Sequence, residues 1–358
     1  MRDKCLMSKK SSVNDEIISS GLSLATTDNN EVKRMQKSLL KPGCLNVYVS
    51  MPCPLKVPFQ QAFKPFVERW NANNANKPVY WPTVTDCSPE GIEKMMTAAI
   101  TADELPDIFV TAAYNIVFSK PFHQRFIETG LFGGIPNESY GKFYPQNILD
   151  ASRKFNVGFL GFSSWGLVRD HSVKGNFPVP GQWNDLVQPE YKGLFSMHGC
   201  HGHAGSLSML LELKKKTGDE AISKLADNTH KVRHFAELIK AMGTAKSETP
   251  YYILPYVAIA NIPSSKRAEL LKLNGGIITS MMVIVNQSKL ETYDGIINFF
   301  TGRTFRQLLE ESAYFQPDSV AGIESHNFAD LELLSELYYD KVTDLTASFI
   351  DMLENKIG

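Results

Sequence analysis

Two long β-rich stretches limit what this chain can fold into. They are Phe155-Asn-Val-Gly-Phe-Leu-Gly-Phe-Ser-Ser-Trp-Gly-Leu-Val-Arg169 and Leu273-Asn-Gly-Gly-Ile-Ile-Thr-Ser-Met-Met-Val-Ile-Val285. Each is apolar and broken by glycines, and each sits between regions where strand and helix patterns alternate, so each suits a strand crossing from one packed lobe to another. Two such crossings make a hinge. The 358-residue length agrees, because a single hydrophobic core rarely grows that large and two lobes imply a cleft between them.

The alternation begins at Gly43-Cys-Leu-Asn-Val-Tyr-Val-Ser50, a strand pattern stopped by Met51-Pro-Cys-Pro54. Helical spacing follows over 57–71 despite Pro65, then a strand over 78–84, a helix over 89–102 and a strand over 105–114. Beyond the first crossing come a strand at 194–197, helices at about 206–216, 219–227 and 230–242, and a strand at 250–258. Helical patterns at 293–300, 304–309 and 330–357 close the chain. The expected fold class is α/β, a two-lobed clamshell with a hinge of two crossing strands. Residues 1–42 are expected to form a polar N-terminal tail or docking arm of poor order, with one weakly amphipathic stretch over 31–40. Residues 43–160 with 276–325 would form lobe one, 161–275 lobe two and 326–358 a C-terminal amphipathic helix.

Composition narrows the function classes. There are 37 Lys plus Arg against 38 acidic residues, so no basic footprint for nucleic acid or an anionic membrane exists. No apolar run is long enough to span a bilayer. The amino terminus as written shows no apolar core of a secretory signal, so the chain as written is expected to stay in the cytosol. Five scattered cysteines form no disulfide framework. No nucleophile elbow, phosphate-binding Walker loop, zinc-protease motif or dinucleotide fingerprint is present, so no catalytic constellation is expected.

In open α/β sheets ligands sit beyond the carboxyl ends of the strands, and that position nominates loops. Ser50, Cys53 and Lys56 stand in a proline-stiffened loop after the first strand, with Cys53 either facing the ligand or packed beneath the turn. Thr111 and Tyr114 close the third strand, with Tyr114 either a cleft wall or ordinary packing. His198-Gly-Cys-His-Gly-His203 carries the sharpest chemistry. His198, Cys200, His201 and His203 are borderline-metal ligands, while the glycines leading to a helix near Ser206 equally describe an anion-binding loop or a structural turn. His230 and His234, four apart on an expected helix, would share one face and either clamp a metal or lie in solvent. No cofactor is indicated beyond a candidate bound metal ion.

Several phrases occur in an order with a known parallel. These are Leu105-Pro-Asp-Ile108, the run Trp183-Asn-Asp-Leu-Val-Gln-Pro-Glu-Tyr-Lys-Gly193, Tyr252-Ile-Leu-Pro-Tyr256, and Asn274-Gly-Gly-Ile-Ile278 ahead of Phe299-Phe-Thr-Gly302. Together they resemble the extracellular solute-binding proteins of ABC transporters, of the type II periplasmic-binding-protein fold and its iron(III)-like cluster, over about residues 43–320. The resemblance implies capture of a small molecule or ion (a metal ion, metal complex or oxyanion) by hinge closure, an ABC permease as partner, and a periplasmic or extracellular location. It also sets the adjacent Tyr251 and Tyr252 beside the tyrosine pair of iron(III)-binding members, although on a strand only one of two neighbours can face a cleft. A cytosolic metal or cofactor sensor, or a cofactor-biosynthesis enzyme on the same fold, is the alternative.

Overall fold

A single strand, β5 (Gly158–Asp170), belongs to two sheets. Its first half, 158–164, pairs antiparallel with β10 (Ile278–Asn286), and its second half, 165–169, pairs antiparallel with β8 (Tyr251–Pro255). The structure, a computed structural model, describes residues 29–82, 90–112, 117–136, 144–199, 207–218, 220–274 and 276–315, with Phe349 and Met352 beyond them. Around the first half of β5 run β2 (Val79–Tyr80), β1 (Leu45–Ser50), β3 (Ile108–Thr111) and β10 in that spatial order, with β4 (Phe132–Gly133) beside β10. Around the second half run β8, β6 (Phe195–His198) and β7 (Thr229–Arg233), with β9 (Ala268–Leu271) on the opposite edge of β5. The return crossing is the β9 to β10 run, which leaves the second half of β5 and rejoins the first. Both expected crossings are therefore present, and the fold is a two-lobed α/β clamshell.

Helices cover both half-sheets. Among the described residues they include, in chain order, α1 (Asn29–Leu39), α2 (Cys53–Asn73), α3 (Glu90–Ala98), α4 (Gln146–Phe155), α5 (Leu207–Thr217), α6 (Ala221–Asn228), α7 (Phe235–Ala241), α8 (Tyr256–Ile259), α9 (Asp294–Thr301) and α10 (Arg303–Glu311). In lobe one α2 meets α9 and α10 through rings: Phe59, Phe63, Phe299, Phe300 and Phe305 are all buried, and Phe63 lies 4.9 Å from Phe299 and 5.3 Å from Phe300. Truncating one such phenylalanine to alanine costs about 3–5 kcal/mol, so this cluster fixes how α2 sits on its sheet.

The Trp183 phrase folds as two 3₁₀ turns, Trp183–Val187 and Pro189–Tyr191. Asp185 accepts hydrogen bonds from the Gly181 and Gln182 amides at 2.8 and 3.1 Å and so caps the first turn. That cap directs Trp183, Leu186, Val187 and Tyr191 into the lobe-two core, which Phe349 also joins. Gly193 ends the phrase at φ +70°, a conformation that favours glycine.

Three expectations need correction here. Residues 29–39 are a helix and not part of a loose arm: Val32 and Leu39 are buried against lobe one, and Lys94 pairs with Glu31 at 2.7 Å. The loop after β1 is shorter than its prolines suggest, because α2 starts at Cys53. Pro52 is the N-cap and Pro54 falls in the first turn, where a missing N–H costs nothing. His230 and His234 do not share a helix, since residues 229–233 form β7 parallel to β6 and His234 is the N-cap of α7. The closing helix over 326–358 lies outside the described residues apart from Phe349 and Met352.

Candidate functional site

Strand direction locates the site. In lobe one β1 and β3 run parallel to each other and antiparallel to β10, so Thr111, paired with Met282, ends toward the crossing. In lobe two β6 and β8 are parallel to each other and antiparallel to β5, and β8 ends where Pro255 meets Trp165. The carboxyl ends of both half-sheets thus converge on the crossing, the position where open α/β sheets bind ligands.

From lobe one the ends of β1 and β3 bring Ser50 and Thr111 together as register partners. Ser50 is half-buried, Thr111 is wholly buried, and Lys56 lies in the first turn of α2. Tyr114 lies outside the described residues, as do Cys200, His201, His203 and Ser206. Cys53 is placed only by its backbone, as the first residue of α2.

From lobe two the end of β6 carries His198 into an aromatic box. Its ring stacks beside Trp165 at 6.2 Å and 24°, and meets His234 at 5.6 Å and Phe235 at 5.3 Å nearly edge-on. Trp165 is itself held by its indole N–H, which donates to the buried Ser208 hydroxyl at 3.1 Å. The Phe235 amide donates to His198 Nδ1 at 3.1 Å, and the Ala236 amide donates to His234 Nδ1 at 3.3 Å. Burial lowers the His198 pKa to about 4, with the neighbouring His234 adding to the fall and the Arg233 carbonyl opposing it, so the ring is neutral at physiological pH.

Tyr256, the first residue of α8, was not nominated by sequence. It stands half-buried where β8 ends, its ring 5.3 Å from Phe315, and Phe315 in turn bridges to Phe162 of β5. Its signal was the Pro255-Tyr256 step, where a proline stops the strand at its carboxyl end and opens a helix.

The tyrosine pair lies elsewhere on β8. Tyr251 and Tyr252 open β8 at the end remote from the crossing, four residues from Pro255 or roughly 13 Å at strand rise. Both are buried on opposite faces of the sheet. The Tyr251 hydroxyl donates to the Pro178 carbonyl at 2.7 Å, and the Tyr252 hydroxyl shares a 2.7 Å hydrogen bond with Ser247. Burial raises both phenol pKa values, which disfavours the phenolate that a hard trivalent ion needs. Asp170 anchors the same far end, accepting from the Gly243 amide at 2.7 Å, the Ser247 hydroxyl at 2.6 Å and the Ser172 amide at 2.8 Å. His230 is likewise committed elsewhere, beside Glu248 at 3.3 Å on the outer edge strand. Among the described residues no group of three or more His, Cys, Asp or Glu side chains is arranged to hold a metal ion.

Comparison with known proteins agrees with this geometry. The profile of the bacterial extracellular solute-binding protein family matches residues 103–329. The chain belongs to that family. As a solute-binding protein it captures ligand for a transport system and is not an enzyme, and no helix among its described residues is long and apolar enough to cross a membrane. Similar solved structures include the apo ferric ion-binding protein A of Pasteurella haemolytica, at 14% identity and TM-score 0.58, covering 86% of this chain and 98% of that one. Apo FutA2 from Synechocystis matches at 12% identity and TM-score 0.58, over 86% of this chain and 99% of the other. The Trichodesmium protein IdiA (FutA), in complex with iron and citrate ligands, matches at 15% identity and TM-score 0.57, over 87% and 99%. At these identities the likeness establishes the two-lobed fold of the solute-binding protein. No curated protein matches it by sequence.

Proposed function

We propose that this solute-binding protein grips a metal complex, metal ion or oxyanion between the carboxyl ends of its two half-sheets and delivers it to an ABC permease. The observation that carries this reading is the convergence of Ser50 and Thr111 from one lobe with His198 and Tyr256 from the other on the β5 crossing. Lobe one in this reading spans 43–160 with 276–325 and lobe two 161–275, and closure is a twist of β5 and of the β9 to β10 return. Closure is favoured only by a ligand that touches both lobes at once. The names of the similar structures make iron(III) and its carboxylate complexes the first ligands to try.

The test is a thermal-shift series on the full chain with ferric citrate, citrate, phosphate and divalent metals, followed by small-angle scattering with whichever stabilises it. A bound ligand raises the melting temperature by mass action, and closure shrinks the radius of gyration. A ligand that stabilises the protein without compacting it would place binding outside the gap. The Tyr256→Ala variant should lose the shift while keeping its unliganded melting temperature.

A further inference from the structure

Two partners follow each other along one edge of β5. Trp165 pairs with Pro255, the last residue of β8, and three residues earlier Phe162 pairs with Phe315, which arrives from lobe one after α10. The opposite edge is taken at both places by the return crossing, through Ile277 beside Trp165 and Ser280 beside Phe162. Three residues of strand span roughly 10 Å, and the change of sheet between Ser164 and Trp165 falls inside that interval.

The chain reaches Phe315 through a forced turn. Ala313 follows α10 at φ +59°, a conformation uncommon for a residue other than glycine, Tyr314 is buried next, and Phe315 exchanges two main-chain hydrogen bonds with Phe162 at 2.7 and 2.9 Å. Its backbone is thereby fixed to the lobe-one half of β5. Its ring meets Tyr256 of α8, on the lobe-two side, at 5.3 Å and a tilt of 42°. Among the described residues the Tyr256 hydroxyl makes no hydrogen bond and its ring meets no other aromatic ring. Packing therefore decides where the tyrosine lies, and part of that packing comes from the other lobe.

We propose that Phe315 is a positioning residue for ligand capture: anchored to lobe one by main chain, it holds the Tyr256 side chain of lobe two across the change of sheet and acts on the ligand only through that tyrosine. Resting on the cleft reading above, in which Tyr256 serves the gap, this deepens it by naming the lobe-one group that sets the tyrosine. A twist of β5 between Phe162 and Trp165 turns Pro255 against Phe315, so the ring contact and the angle between the lobes change together. That linkage is reciprocal, and a tilted ring pair is worth about twofold to tenfold in an equilibrium.

The experiment is hydrogen exchange on the unliganded full chain, followed by calorimetry with ferric citrate, citrate and phosphate. Phe315→Leu keeps an apolar side chain and the main-chain bridge but loses the ring, and Phe315→Tyr keeps the ring. In Phe315→Leu the amides of 256–261 should exchange about fivefold faster while those of 303–312 stay within about twofold of wild type, and Tyr256→Ala should in return speed exchange of the Phe162 and Phe315 amides. Affinity for whichever probe the wild type binds should fall about fivefold in Phe315→Leu, stay near wild type in Phe315→Tyr, and change by less than about twofold when Phe315→Leu is added to Tyr256→Ala. Unchanged exchange at 256–261 overturns the inference, as does coupled exchange with unaltered affinity, or an affinity loss that adds in full to that of Tyr256→Ala; each leaves capture in the cleft standing. Binding of none of the three probes overturns the cleft reading and takes this inference with it.

Discussion

The two ends of the lobe-two sheet use the same kinds of residue in opposite ways. At the far end Tyr251, Tyr252 and Asp170 are buried, Ser247 is half-buried, and all four spend their polar atoms on one another and on main chain. At the gap end Tyr256, His198 and His234 are only half-buried, and each imidazole commits one nitrogen to an amide. The tyrosine pair looks the more functional in sequence, yet both hydroxyls are already hydrogen-bonded within the lobe. A side chain is available for binding where the fold has not already consumed its hydrogen bonds.

Several measurements would break or sharpen that contrast. The largest effect is expected for Trp183→Ala, which opens a cavity in the lobe-two core and should lower stability by about 3–5 kcal/mol in urea titrations. Ligand affinity of the folded fraction should change little, and a large affinity loss would mean the Trp183 phrase serves the gap. Next is Asp170→Ala, which strands the Gly243 and Ser172 amides and should cost about 2–3 kcal/mol, again sparing affinity. Tyr256→Ala should do the reverse, weakening ligand by about tenfold at nearly unchanged stability. The smallest effect belongs to Tyr251→Phe, with a loss of about 1 kcal/mol and affinity within twofold of wild type. A strong affinity loss there would return the far end to the binding site.

Acid gives a further discriminating readout, because the far ends of the two lobes are pinned by aspartates that titrate oppositely. At Asp170 burial alone would raise the pKa, but the hydrogen bonds from Ser247, Gly243 and Ser172 outweigh it and hold the carboxyl below its ordinary range. Its contribution is present above the unfolded pKa of about 3.9 and is lost as pH falls through the folded value. Asp107 in lobe one accepts from the Asn46 amide and from Asn286 Nδ2, yet burial dominates and raises its pKa. Its charged form therefore costs stability above the unfolded pKa, and protonation relieves that cost. Asp170→Asn should flatten the acid limb of stability against pH and Asp107→Asn should steepen it, in urea midpoints followed from neutral pH into acid.

Much of the fold was legible because it is written in local period. The helices at 207–217 and 221–228 and the strand at 195–198 sit within a residue or two of where apolar spacing places them, and the crossing strands end within one residue of expectation but start later, at Gly158 and Ile278. The misreadings share one cause, tertiary partners that override local pattern. Thr229–Arg233 is a polar edge strand that exists because β6 pairs with it, and in isolation its residues continue a helical period. Residues 29–39 gain their helix from docking Val32 and Leu39 on lobe one. Strand position nominates Ser50 and Thr111 and imidazole chemistry nominates His198, whereas Tyr256, at the carboxyl end of β8, is marked in sequence only by the proline before it. The hydrogen bond on His198 was beyond reach, since it comes from the Phe235 amide, brought alongside by another segment of chain.

One consequence of β5 concerns how the molecule comes apart. Its backbone is shared property: residues 158–164 pair with β10 in one half and residues 165–169 with β8 in the other. Neither half can melt without tearing a seam in its neighbour, so heat should find a single cooperative transition where two bodies are visible. The freedom left to the pair is torsion along that common thread, a motion that breaks no rung of either ladder.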